Sequence, residues 1–390
     1  MTTPTQASSA SPQDEMLPFL NNFHDIFTTI GVLILLVGLA MGSGQVMNSL
    51  DLPQDGMGWQ YAVIALLVGV SVIIWMLSAL LVGKQRRILP GIVLSASFSI
   101  TATIVLIWGY TQLLIHGFGI NESMMDNPFQ AAEQMEFGRE AVLAVAAELP
   151  FTIRILPVIM GLSFLIPVAV YYWSFRLPFA GGLAGLGLVG SVVAIQFIQD
   201  PYMTIVNLPT VYVLVGVALL VGGIFFDMRD PGRSTRLSGT AFWLHFFAAP
   251  ILLSAVLNVT QIGWTFSEAD FADFENNNLL MAMAQDNGQA VRLAVIALII
   301  IGCFAIISLL INRRALIVSG LLTAGVSIGA VVNATGMDTG SVIAVTLLLL
   351  GGVVVLLGAA WNPVRRILLI PFPSTGLIGR IFPPADGSVG

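Results

Sequence analysis

The sequence predicts an all-α fold, a polytopic transmembrane helix bundle of about ten spans, and three observations carry that expectation. Hydrophobic residues make up 57% of the 390 and charged residues only 9%, with a mean hydropathy of +0.92, a composition that suits lipid rather than water as solvent. The apolar residues fall in runs long enough to cross a hydrocarbon core about 30 Å thick, which takes roughly 20 helical residues. The runs are uniformly apolar, without the alternation of barrel strands, so helices are the spanning element.

In order, the expected spans are Phe27 to Met47, Tyr61 to Val82, Gly91 to Ile115, Ile155 to Ser174, Phe179 to Ile198, Pro209 to Phe226, Gly239 to Ile262, Leu293 to Ile311, Leu316 to Ala334 and Ser341 to Ala360. Polar or Gly/Pro punctuation separates them. No Lys or Arg occurs in the first 83 residues, so the basic region of a secretory signal is missing and the first apolar run is expected to be retained. The chain divides into a polar N-terminal tail (1–25), a transmembrane domain (26–362) with loops near 116–151 and 263–290, and a C-terminal tail (363–390).

Charge sets the expected threading. With both termini cytoplasmic, 12 of the 15 Lys and Arg residues lie inside and only Arg139, Arg154 and Arg292 outside, whereas the reverse orientation inverts the split. Glu122 to Glu148 and Glu268 to Asp286 then make an acidic exterior, in keeping with the net charge of −6. A nucleic-acid partner would need a basic face that the chain lacks. The charges also hint at a parallel four-helix repeat. Arg154 and Arg292 each open a span, Arg176 and Arg314 each follow one, and both pairs are 138 residues apart.

Several motifs have a structural explanation. Gly185-Leu186-Gly187-Leu188-Val189-Gly190 spells a dinucleotide fingerprint, but it lies inside a span rather than at a strand-to-helix turn. Gly181xxxGly185 and Gly38xxxGly42 are spaced for close helix packing. Glu268 to Glu275 lacks the spacing of a calcium loop. Ala132, Met135, Val142, Leu143 and Ala146 recur at helical spacing with Glu133, Glu136 and Glu140 on another face, as in a surface helix. Cys303, the only cysteine, suits packing within the eighth span. His24, His116 and His245 make no metal-ligand spacing, so neither a metal nor a cofactor is expected.

His245 stands out because it lies inside the seventh span, on one helical face with Ala241, Ala248, Leu252 and Ala255, five residues before Pro250. That face should be buried, with the imidazole neutral and hydrogen-bonded to another span. A titrating gate is the alternative. No Asp or Glu lies mid-span, so the intramembrane carboxylate used by proton pumps and many cation-coupled carriers is not expected. Arg154 and Arg292 are candidates for contact with headgroups or an anion.

The run Ala241 to Pro250 (AFWLHFFAAP), the Asp230-Pro231-Gly232-Arg233 turn, Asn312-Arg313-Arg314-Ala315-Leu316 and Trp361-Asn362-Pro363-Val364-Arg365-Arg366 resemble a family of uncharacterised bacterial multi-pass inner-membrane proteins. The resemblance implies a bacterial inner membrane and supplies no catalytic residue. Three functions are compatible with the chain. One is a permease or carrier of a small neutral or anionic solute, with His245, Asn258, Gln196 and Asn333 lining a path; the others are a membrane scaffold or sensor with acidic external loops and a lipid-active enzyme. No nucleophile elbow, zinc helix or P-loop is present, which counts against the enzyme. The lipid bilayer is the one partner the composition demands.

Overall fold

The computed structural model describes residues 23–54, 56–121, 124, 126–128, 130, 138–230, 235–265, 287–333, 336–373 and 376–383. Within them every expected span is a helix: α1 Phe23–Ser49, α2 Met57–Ser78, α3 Leu89–Gln112, α4 Leu156–Phe175, α5 Pro178–Gln199, α6 Leu208–Arg229, α7 Arg236–Ile262, α8 Asn287–Ile311, α9 Ala315–Asn333 and α10 Thr339–Leu369. No strand occurs among the described residues. Eight of these helices, α1 to α8, are long and apolar enough to cross a membrane, and α10 makes a ninth when its two halves, Gly340–Leu356 and Gly358–Leu369, are taken together. Those halves meet at 55°, just ahead of Pro363, whose ring opposes the carbonyl four residues earlier.

The helix at the centre is α7. Half of its most apolar window is buried, against 11% for α1 and α2, and it packs on α5, α6, α8 and α9. The contact is close because the facing helices present glycines. A Cβ at Gly185 of α5 would stand 2.5 Å from Leu244 Cδ2, and one at Gly181 2.7 Å from Thr240 Oγ1. Leu219, Leu244, Ala248, Leu252, Ala297, Phe304 and Leu316 form the core around it. The predicted face of α7 is buried throughout: Ala241, His245, Ala248, Leu252 and Ala255. The helix runs unbroken through Pro250.

Two packing expectations are corrected. Gly38 and Gly42 approach no other helix, since a Cβ at either would meet nothing within 4 Å. They line an open groove between α1 and α2 instead. Cys303 is exposed on α8 rather than packed. The surface helix expected around 132–148 is described only in part, as Arg139–Glu148; Ala132, Glu133, Met135, Glu136 and the acidic run Glu268 to Glu275 lie outside the described residues.

Neighbour relations bear on the repeat. In the first half α2 packs on α3, α3 on α4 and α4 on α5; in the second α6 packs on α7 and α8 on α9, but α7 packs more on α9 than on α8.

Candidate functional site

At the end of the bundle where α6 stops and α7 starts, four polar side chains meet. Leu208–Arg229 carries Asp227 in its last turn, one turn beyond Gly223. The helix continues past the expected end at Phe226 and so carries Asp227 at its end rather than mid-span, with Gly216, Leu219 and Gly223 on its buried face. The imidazole of His245 lies across Gly223, where a Cβ would stand 2.6 Å from Cε1 and 2.9 Å from Nε2. Only glycine leaves room for the ring.

His245 Nε2 is 3.0 Å from Asp227 Oδ2. A carboxylate can only accept, so Nε2 carries the hydrogen and donates. Arg313 completes the group from the turn between α8 and α9. Its Nε donates to Asp227 Oδ2 at 3.0 Å, its Nη2 donates to Asp227 Oδ1, and Nη2 also reaches Ser238 Oγ at 2.9 Å. The paired fork is the geometry in which arginine binds a carboxylate best. His245 is 0% and Arg313 2% exposed. The charges of Asp227 and Arg313 offset one another in the low-dielectric interior.

The turn that presents Arg313 is itself pinned. Asn312 adopts a left-handed conformation (φ 55°) that ends α8, and Arg313 N–H donates to Ser308 O at 2.8 Å. Ser308 Oγ donates back to Arg313 O. On its other side the turn meets α10. Trp361 Nε1 donates to Asn312 Oδ1 at 3.1 Å, the Arg314 guanidinium lies 5.0 Å from the Trp361 ring centre, and Arg365 Nε donates to Leu309 O at 3.0 Å. Three of the stretches that carried the family resemblance, at Ala241 to Pro250, Asn312 to Leu316 and Trp361 to Arg366, thus converge on one hub.

Chemically the group is an arginine–carboxylate ion pair to which a histidine donates. His245 Nδ1 is buried with no hydrogen-bond partner among the described residues, so no hydroxyl stands where the nucleophile of an Asp–His–Ser arrangement belongs. No cluster of three or more His, Cys, Asp or Glu able to hold a metal occurs among the described residues.

Of the residues singled out from the sequence, only His245 belongs to this group. Asn258 lies thirteen residues further along α7, where Tyr212, Pro250, Ile251, Ser254 and Asn258 line a cavity of about 390 Å³. Gln196 and Asn333 are exposed. Arg154 is exposed, donates to Ala146 O at 3.1 Å and lies 5.9 Å from the Phe151 ring centre, tying the surface helix to the start of α4. Arg292 is exposed on α8. Asp227 and Arg313 were missed as a pair, although one signal was legible: Gly216, Leu219, Gly223 and Asp227 recur at helical spacing on one face.

No family model matches the chain, and comparison with curated proteins and with solved structures finds no match. The chain is an integral multi-pass membrane protein on the strength of its own helices.

Proposed function

We propose that the protein is a permease for a small neutral or anionic solute, seated in a bacterial inner membrane with both termini cytoplasmic. The observation that carries this reading is the buried Asp227–His245–Arg313–Ser238 group. Ionisable side chains inside a helix bundle are costly and recur where a membrane protein moves a solute or changes state. The group joins α6, α7 and the α8–α9 turn at one end, while the Asn258 cavity opens on α6 and α7 about 20 Å further along at about 1.5 Å per residue. Under this reading the ion pair is the latch that closes one side, and the uncharged groups of Tyr212, Ser254 and Asn258 hold the solute by hydrogen bonds. Gln196 and Asn333 extend the path, and Arg154 and Arg292 attract an anion to the far mouth.

The purified protein in liposomes, offered a panel of small neutral and anionic solutes, tests it. Flux of one solute is expected, reduced by Asn258→Leu through a raised half-saturation concentration and by Asp227→Asn through a lowered maximal rate. No flux over the whole panel favours the scaffold or sensor. Orientation is checked separately by reporter fusions: a fusion after Arg87 or Arg314 should report cytoplasm, one within 121–148 should report the exterior, and the reverse pattern overturns the assigned threading.

A further inference from the structure

A second site lies beside the latch, on the outside of the bundle. Tyr172, Trp173 and Arg176 at the end of α4 face Thr235, Arg236 and Leu237 at the start of α7 across a cavity of about 670 Å³. The structure assigns this cavity to the phosphate headgroup of an anionic phospholipid.

Three features point to such a ligand. The first is uncompensated charge. Arg176 and Arg236 are both exposed, and neither makes an ion pair with a carboxylate among the described residues. Asp230, the acid nearest in sequence to the α7 side of the cavity, is buried and accepts from the N–H and the hydroxyl of Thr235 at 2.8 and 2.7 Å.

The second is where these cations sit. Arg236 occupies the first turn of the 27-residue α7, the positive end of a helix dipole, where a cation is disfavoured unless an anion joins it. Arg176 has φ 50° and ψ 38°, a left-handed conformation that costs an arginine about 1–2 kcal/mol and that glycine would adopt more readily. An exposed arginine kept in such a backbone position gains nothing from packing, but it gives the cavity a second guanidinium. Two arginines lining one space suit a phosphodiester, whose oxygens accept several charge-assisted hydrogen bonds.

The third is the wall. Trp173 is 74% exposed although it lies two residues from the end of an apolar span, and Tyr172 adjoins it. Exposed Trp beside Tyr at a span terminus marks the level of the headgroups. The cavity therefore opens where lipid phosphates lie, and the indole face flanks the acyl chain of any lipid whose phosphate sits between the arginines. A soluble phosphate compound would meet the same guanidiniums without using that wall.

Native mass spectrometry of the full-length protein in neutral detergent, titrated with phosphatidylglycerol, phosphatidylcholine or inorganic phosphate, separates these sources. Phosphatidylglycerol should be retained, and the Arg176→Gln/Arg236→Gln pair should weaken it about tenfold or more, the equivalent of losing one to two charge-assisted bonds. Phosphatidylcholine should bind weakly and equally to both forms. Arg380→Gln, an exposed arginine outside the cavity, should leave phosphatidylglycerol binding unchanged. Unchanged binding in the double variant, or an equal loss in Arg380→Gln, overturns the site. Inorganic phosphate that displaces phosphatidylglycerol at equal concentration overturns the lipid assignment. Because the two arginines are exposed, the double variant should keep the parent's elution volume and unfolding midpoint in lipid-free detergent, and a large fall in either would show that the residues hold the fold rather than a ligand.

Discussion

In the first half of the bundle, α2 and α4 are joined by Tyr171, whose hydroxyl donates to Ser78 Oγ at 3.0 Å while Ser78 Oγ donates to Ile74 O at 2.8 Å. The Tyr171 ring lies 4.6 Å from Phe175, 5.7 Å from Phe98 and 6.0 Å from Trp75, measured between ring centres. In the second half, α6, α7 and the α8–α9 turn are joined by Asp227, His245, Arg313 and Ser238. The first junction is neutral and mostly apolar, and Ser78 keeps its bond to Ile74 O if the Tyr171 hydroxyl is lost. In the second no member is satisfied alone, because removing one charge strands the other in the interior. A neutral junction can give way gradually, whereas a charge-compensated one is held or broken as a unit. On the proposed function, the second is therefore the place for the latch.

The largest expected effect tests this contrast directly. Arg313→Gln should cost about 3–5 kcal/mol of stability by leaving Asp227 uncompensated, and Tyr171→Phe only about 0.5–1.5 kcal/mol. Adding Asp227→Asn to Arg313→Gln should recover part of the loss. Equal costs for Arg313→Gln and Tyr171→Phe in detergent unfolding would erase the distinction between the junctions.

Steric fit is the next largest effect. Gly223→Ala places a methyl against the His245 ring and should cost about 1–3 kcal/mol by overpacking. The same change at Gly38, where a Cβ meets nothing, should stabilise by about 0.5–1 kcal/mol through helix propensity. His245→Gln should be milder than His245→Leu, since an amide can still donate to Asp227. A Leu variant as stable as the Gln variant would show that the imidazole hydrogen bond contributes nothing.

The smallest effect lies outside both junctions. Asp338 caps α10, accepting from Ser341 Oγ at 2.7 Å and Ser341 N–H at 3.1 Å, and these bonds, the hydroxyl's first, hold its carboxyl below the usual carboxylate range. A depressed folded-state value means the contribution is present above the ordinary Asp value and is lost as pH falls through the lowered one. Asp338→Asn should therefore flatten a small part of the acid limb of the stability profile, and an unchanged limb would remove the cap from the account.

Much of the fold was legible because lipid constrains sequence tightly. The buried face of α7 followed from the helical spacing of Ala241, His245, Ala248, Leu252 and Ala255, and the packing role of Gly181 and Gly185 followed from their spacing. The identical spacing of Gly38 and Gly42 misled, since small residues permit a close approach without specifying a partner. The partner of His245 was hidden for a different reason. Asp227 stands at the polar end of a span, where an acid resembles any loop residue, and the groups that donate to it come from 18 and 86 residues further along the chain.

By itself, then, the sequence determined the solvent, the helices, their order and the face of α7 that is buried, because a segment in hydrocarbon must satisfy its own backbone and keep charge off its lipid face. The tertiary structure alone decided that Asp227, His245 and Arg313 form one hydrogen-bonded group, that Arg176 and Arg236 share one cavity, and that Gly38 and Gly42 face open space. These are contacts between helices, set by which surfaces pack together, and no local pattern encodes the partner.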